Sequence, residues 1–333
     1  MTIAIAAYNC AATVGATLDS CLAQSCPDFE VLVVDDGSAD ATAEVLAAYG
    51  DRIRVVHQAN GGLAKARNTG MQSARGRFVA WMDADDLCHP DRLLAQATVL
   101  DTYPEVVLVS SDFSAFRQPE RDEEPLHLTH YYAAPARLGG LDRIYPQRLD
   151  IAAPGARSAA EFSLRIGRVH ESLLEGNFVH PPTVMFRRSA LPSAGDCDTA
   201  LRYSSDYDFF LRLSRLGSFA LLEAPLLRYR LSESQMSRAA VGATMQLETI
   251  AIMDRLRQTD PAMYARHRGL FDRRYARSYV SAAAAIGPAD RKRSLGLLWQ
   301  GLRYRPAPLE TLRALARIAL PPRLLRLRRS FAD

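Results

Sequence analysis

Apolar positions in the first third of the chain follow two alternating rhythms. Short continuous runs at residues 2–7, 29–34, 53–57, 78–82 and 106–110 have the length and the β-branched and aromatic content of buried strands. Between them, apolar residues recur three and four apart. Val14, Leu18, Cys21 and Leu22 mark a helix over 13–24, and helices over 41–49, 63–73 and 91–103 continue the series. Asp40 is the expected cap of the second helix, and Pro90 stands where a helix opens. Strands alternating with helices at this spacing predict an α/β fold: a mainly parallel central sheet flanked by helices.

After Asp112 the rhythm changes. Residues 117–125 are charged and proline-flanked and read as a loop, and 126–176 read as irregular or helical. Order returns with a strand at 183–187, an amphipathic stretch at 206–216 and an extended apolar run at 219–230; from about Ala240 the chain reads as helical. The expected organisation is a main domain over 1–237, in two halves (1–112 and 113–237), followed by a helical, basic C-terminal appendage over 238–333.

Composition narrows the class. With 333 residues, 48% apolar and 23% charged, the chain is a soluble globular protein with enough length for a large core. A net charge of +4 makes no case for nucleic acid as a partner. Five cysteines without a CxxC pair read as free thiols of a reducing compartment. No basic segment followed by an apolar one opens the chain, and no run approaches the roughly 18 apolar residues of a spanning helix. These features predict a cytoplasmic location. The positive charge gathers at the C-terminus, where Arg303, Arg305, Arg313, Arg317, Arg323, Arg326, Arg328 and Arg329 interleave with leucines. Two readings follow: peripheral contact with the inner face of an anionic membrane, or an appendage packed on the main domain with a solvated arginine face.

The chemistry sits where strands end. Phe78-Val79-Ala80-Trp81-Met82 runs straight into Asp83-Ala84-Asp85-Asp86. Carboxylates crowded at a strand end repel one another, a cost that a divalent cation removes; the plain alternative is an acidic turn before a helix. Three other loops follow strands of the same sheet: Tyr8-Asn9, Asp35-Asp36-Gly37-Ser38, and Asn60-Gly61-Gly62 leading into Lys65 and Arg67. In a parallel sheet all four converge on one edge, the usual ligand site of open α/β sheets. Asp36 is suited to accept from a base imide N–H and Tyr8 to flank a ring. Gly61-Gly62 permits close backbone approach, and Lys65 and Arg67 answer pyrophosphate charge. Neither GxGxxG after the first strand nor GxxxxGK[ST] is present.

These segments resemble the inverting glycosyltransferase family 2, with its GT-A fold. The match runs in the family's order through Ile3–Asn9, 20–25, 33–40, 60–70 and 74–86, and continues at Ser205-Asp206-Tyr207-Asp208. The resemblance implies a metal-dependent enzyme that moves sugar from a nucleotide-diphosphate donor, with UDP as the expected nucleotide, onto a saccharide or lipid-linked acceptor in cell-surface polysaccharide or glycolipid synthesis. It implies donor binding by Tyr8, Asn9, Asp36, Lys65, Arg67 and Asp83. Asp85 and Asp83 would hold Mn or Mg as a DXD motif, with Asp86 next in that shell, and Asp206 would be the catalytic base. On the acceptor side it points to His180 and, near the diphosphate, Arg230. The chain departs from the family pattern at Ala6-Ala7, where Pro-Thr is common, at Asp196-Cys197, at Ser205 and at Ser232. Two rivals are a nucleotidyltransferase, which calls for a glycine-rich basic first loop, and a non-catalytic membrane-associated scaffold.

Overall fold

The computed structural model describes residues 1–118, 121–124, 128–158, 161–231 and 242–319. The chain divides into two compact units, Met1–Glu233 and Ser234–Asp333.

The first unit opens with β1 (Thr2–Ala7), α1 (Val14–Leu22), β2 (Glu30–Asp35), α2 (Thr42–Ala47), β3 (Arg54–His57), α3 (Leu63–Ser73) and β4 (Phe78–Asp83). A two-residue strand, β5 (Leu87–Cys88), and α4 (Arg92–Thr102) follow. β1 pairs in parallel with both β2 and β4, and β2 with β3, so four strand ends with their loops share one edge. The alternation that predicted these elements survives because β1, β2 and β4 are buried on both faces, while β3 lies at the sheet edge and is partly exposed. Asp40 accepts the Thr42 N–H at the mouth of α2 at 3.0 Å, one position ahead of the cap residue itself.

The second half of this unit departs from the sequence reading. The strand expected at 106–110 is β6 (Val106–Gln118), and the expected loop holds β7 (Arg121–Glu124), which pairs antiparallel with β6. Short helices α5 (Leu128–Tyr131), α6 (Ala133–Leu138) and α7 (Leu141–Ile144) precede a hairpin of β8 (Gln147–Ala152) and β9 (Glu161–Gly167), where irregular or helical chain was expected. β8 lies at the sheet edge, and only Leu149 and Ile151, between exposed Arg148 and Asp150, carry its apolar alternation. Then come α8 (His170–Glu175), β10 (Met185–Arg187), α9 (Leu191–Ala194), α10 (Ser205–Leu213) and β11 (Ser218–Arg230). The strand order is β3-β2-β1-β4-β10-β6-β11-β9-β8, with β10 antiparallel between β4 and β6. The result is the expected fold class, a mixed sheet with a parallel centre flanked by helices.

Period two along β4 puts Trp81 and Asp83 on one face and Met82 on the other. Trp81 packs against Phe186 of β10 and Phe209 and Phe210 of α10, with ring centroids 5.1 to 5.9 Å away. That aromatic core fixes α10 beside the end of β4. Behind the sheet, the fully buried Arg92 donates to the carbonyls of Trp81 (2.9 Å) and Val184 (3.1 Å) and to Gln96 Oε1 (3.2 Å). Arg92→Met, which keeps the packing volume, strands these acceptors. It is expected to destabilise the first unit by about 3 kcal/mol, read as a lower urea midpoint with an unchanged m-value.

The second unit is helical: α11 (Gly242–Thr259), α12 (Pro261–Arg266), α13 (Arg268–Ile286), α14 (Arg291–Leu302) and α15 (Pro308–Ala319). Ser232, the arginines at 323, 326, 328 and 329 and the leucines at 324, 325 and 327 lie outside the described residues.

Candidate active site

The edge formed by the ends of β1 to β4 gathers the polar residues of four loops. Asp36 is 3% exposed, and its carboxylate accepts from the Gly61 N–H (2.9 Å), the Gly62 N–H (2.8 Å) and Gln58 Nε2 (2.6 Å). Its first structural effect is therefore to shape the Asn60-Gly61-Gly62 loop. Gly62 adopts φ +83°, and no side chain caps the helix α3 that follows. Lys65 lies across Gly61, where any Cβ would stand 2.1 Å from Lys65 Cδ. A carboxylate has room for more than three donors, so Asp36 retains acceptor capacity on Oδ2.

Asn9 has φ +48° and ties two loops together: its Oδ1 accepts the Ala39 N–H (2.8 Å), and its own N–H donates to Ser38 Oγ (3.0 Å). Tyr8 beside it is 52% exposed. One residue is thus spent on scaffolding while its neighbour presents a free ring.

The acidic turn is held from two sides. Thr13 Oγ1 donates to the Ala84 carbonyl (3.0 Å) and Thr17 Oγ1 to the Asp86 carbonyl (2.8 Å). On the other side the Arg230 N–H donates to Asp86 Oδ1 (2.8 Å) and Arg230 Nε to the Asp85 carbonyl (2.7 Å). Asp86 is fully buried, and its Oδ2 has no partner among the described residues. Burial, then the charges of Asp85 and Asp83, push the Asp86 carboxyl well above the usual range. Burial and the Asp83 charge raise Asp85 to about 6.

These carboxylates fit a cation completed by the ligand. Among the described residues, no three His, Cys, Asp or Glu side chains form a metal-holding group. A cage made of protein alone is therefore not what the residues offer. Two partly exposed carboxylates that repel one another offer the other arrangement, in which one or two protein oxygens and substrate phosphates share the ion.

Arg67 links this turn to α10. It is 6% exposed, stacks 4.8 Å above the Trp81 ring and donates from Nη2 to Asp83 Oδ1 at 3.1 Å. Asp206, half-buried in the first turn of α10, lies within electrostatic reach of both Arg67 and Asp83. Burial raises its carboxyl; Arg67 pulls it down and Asp83 pushes it up. Asp208 is turned away into an ion pair with Arg212 at 2.9 Å, which leaves Asp206 as the carboxylate of that helix facing the site.

His180 is 4% exposed and stacks on Phe113 with centroids 4.0 Å apart, ringed by Tyr131, Tyr132 and Tyr229. Tyr132 Oη lies 3.2 Å from His180 Nδ1, and Asp206 and Asp83 act on its hydroxyl. This aromatic block stands next to the carboxylates, with His180 in its interior.

Four residues outside the sequence-based set hold the site together: Thr13, Thr17, Gln58 and Asn68. Asn68 bonds the Cys197 backbone in both directions, Nδ2 to carbonyl at 2.9 Å and N–H to Oδ1 at 2.7 Å, fastening the segment before α10 to α3. Nothing local marks an asparagine that works across 129 positions. For Thr13 and Thr17 the signal is their i,i+4 spacing on the helix that follows the first loop.

The family model "Glycosyl transferase family 2" matches residues 2–191. The succinoglycan biosynthesis protein ExoO of Rhizobium meliloti is 47% identical over 95 residues, 28% of this chain and 27% of that protein. Staphylococcus aureus TarS 1–349 in complex with UDP-GlcNAc superposes with a TM-score of 0.54 at 16% identity, covering 92% of this chain and 81% of that one. The Pyrobaculum calidifontis mannosyltransferase PcManGT, in complex with GDP-Man and Mn2+, gives 0.52 at 17% identity over 98% and 82%.

Proposed function

Since the chain belongs to glycosyl transferase family 2, we propose that this glycosyltransferase uses a UDP-sugar and a divalent cation, Mn or Mg, to glycosylate a saccharide hydroxyl with inversion. The observation that carries the reading is the juxtaposition of Asp206, Arg67 and Asp83 where the parallel strands end. The two structural matches with a nucleotide-sugar bound support the donor class, and the one with Mn2+ supports the cation.

In this reading Tyr8 flanks the base, and Asp36 offers its remaining acceptor site to the imide while holding the glycine loop open for the ribose and phosphates. Lys65 answers phosphate charge. Asp85 and Asp83 would hold the cation, which offsets the negative charge growing on the departing diphosphate. Arg67 keeps Asp83 in place and favours the ionised form of Asp206. Asp206 takes the acceptor proton as the new bond forms at the anomeric carbon, and a single displacement inverts that centre. Half-buried Tyr131 and Tyr132 give an acceptor sugar an apolar wall beside the base.

A thermal-shift screen of UDP- and GDP-sugars with Mn2+, Mg2+ or EDTA tests this. A UDP-sugar with cation is expected to raise the midpoint, by the equivalent of about 2.7 kcal/mol at a hundredfold excess over Kd, and EDTA to remove most of the rise. If no nucleotide-sugar shifts the protein under any condition, the reading fails. Pyrophosphate release from UTP and a sugar phosphate would replace it with nucleotidyl transfer.

A further inference from the structure

The C-terminal unit carries an apolar surface that the transfer chemistry does not use. On α14, Ser294, Leu298 and Gly301 face inward, four and three apart. Leu298 joins Val280 and Ala283 of α13 and Ala314 and Ile318 of α15 in one core cluster. The same helix has a second stripe at the same spacing, Leu295, Trp299 and Leu302, and all three are exposed, Trp299 by 68%. α15 repeats the pattern: Ala314 and Ile318 are buried, while Leu309, Leu312 and Leu315 stand in solvent. A single exposed leucine needs no explanation, but six large apolar side chains on two consecutive packed helices mark an interaction surface.

Charge identifies the partner. Arg291, Lys292, Arg293, Arg303, Arg305, Arg313 and Arg317 lie in or between these helices, all exposed, and Glu310 is the one acid among residues 291–319. The sequence after Ala319 adds four arginines against the terminal Asp333 alone. A second copy of the chain would bring the same cations face to face. We propose that α14 and α15 form a docking surface for an anionic lipid bilayer. Leucines and an indole bordered by arginines suit a helix pair lying in the headgroup boundary, with the apolar stripe inward and the guanidinium groups at the phosphates. No described helix is long and apolar enough to cross a membrane, so the contact is one of lying on the surface. This surface belongs to a different unit from the transfer site and does not rest on the reading of that site.

The chain's two tryptophans make the test direct. Trp81 is 1% exposed and insensitive to an added surface, so an emission change reports Trp299. The full-length protein is mixed with phosphatidylcholine vesicles, with or without about one-third phosphatidylglycerol, and read by emission and co-sedimentation. Anionic vesicles are expected to shift the emission to the blue and carry the protein down, with both effects fading as salt rises. Trp299→Ser with Leu312→Ser should weaken partitioning at least about tenfold, with the thermal midpoint unchanged because both side chains are exposed. Arg313→Gln with Arg317→Gln should weaken it about twenty-fivefold, at about fivefold per basic residue. Protein that stays in the supernatant with anionic vesicles overturns the proposal. So does equal binding to neutral ones. A blue shift on concentrating the protein without lipid assigns the surface to a second copy instead.

Discussion

Asp206→Asn is expected to lower the sugar-transfer rate by about a thousandfold while nucleotide-sugar affinity stays within roughly twofold of the parent. The asparagine keeps the shape of the side chain and its contact with the Tyr207 N–H, now 2.7 Å from Oδ1, so α10 has no reason to move. What disappears is the group that, in the proposed mechanism, takes the acceptor proton. The pH profile supplies a second readout. A base works only when ionised, and burial raises the Asp206 carboxyl above its ordinary range, with Arg67 opposing. The parent rate should therefore climb with pH along an acid limb set higher than that of a surface aspartate, and the residual rate of the variant should lack that limb. Single-turnover transfer together with titration of the donor separates the effects. Normal transfer by the variant removes Asp206 as the base; equal losses of transfer and donor affinity make it a binding residue.

The first 112 residues were legible because their signals are local. Each strand of the parallel centre is buried on both faces, so it reads as an unbroken apolar run, and α3 over Leu63–Ser73 occupies the residues its periodicity marked. The strand-end position of the carboxylates followed from that pattern without any knowledge of pairing. The far half resisted for an equally physical reason. β8 spends its alternation on exposed polar residues, and Arg165 of β9 is buried because Glu223 and Asp142, 58 and 23 positions away, neutralise it. A buried arginine looks like a surface one until its partners are placed.

Within the site, residue types pointed to chemistry but not to how each side chain divides its bonds. Asp36 stood out as a base reader, yet its carboxylate also accepts from Gln58, Gly61 and Gly62. Arg67 suggested a diphosphate contact, yet it lies between Trp81 and Asp83. His180 stood near an expected acceptor edge and lies inside an aromatic block assembled from residues 113, 131, 132 and 229. In each case the missing knowledge was a long-range neighbour. The same neighbours explain why substitutions at Asp36 or Arg67 will mix scaffolding with binding, whereas Asp206 and Asp85 isolate the chemistry.

Asp85→Asn is expected to reduce cation-dependent transfer by two to three orders of magnitude, the several kcal/mol that a metal contributes to a departing phosphate, and to weaken Mn2+ binding in the presence of UDP. In the metal-free protein Asp85 is raised to about 6 by burial and by Asp83, so near neutral pH the two carboxylates repel one another. A cation relieves that repulsion and must displace a proton below about pH 6, so Mn2+ affinity should rise with pH through that point and then level off. The stability of the metal-free protein runs the other way. Between the ordinary carboxylate value and about 6 the native state holds a proton that the unfolded chain has released, so stability falls as pH rises through that window. Asparagine cannot ionise, and the variant should lose much of this slope; Asp86 and Asp206, both raised first of all by burial, contribute to the remainder. Urea unfolding at pH 4.5 and 7 without metal, repeated with Mn2+ and UDP, reads both signs at once. If cation and nucleotide stabilise Asp85→Asn as strongly as the parent at pH 7, the ion is held elsewhere and the acidic turn is only a turn.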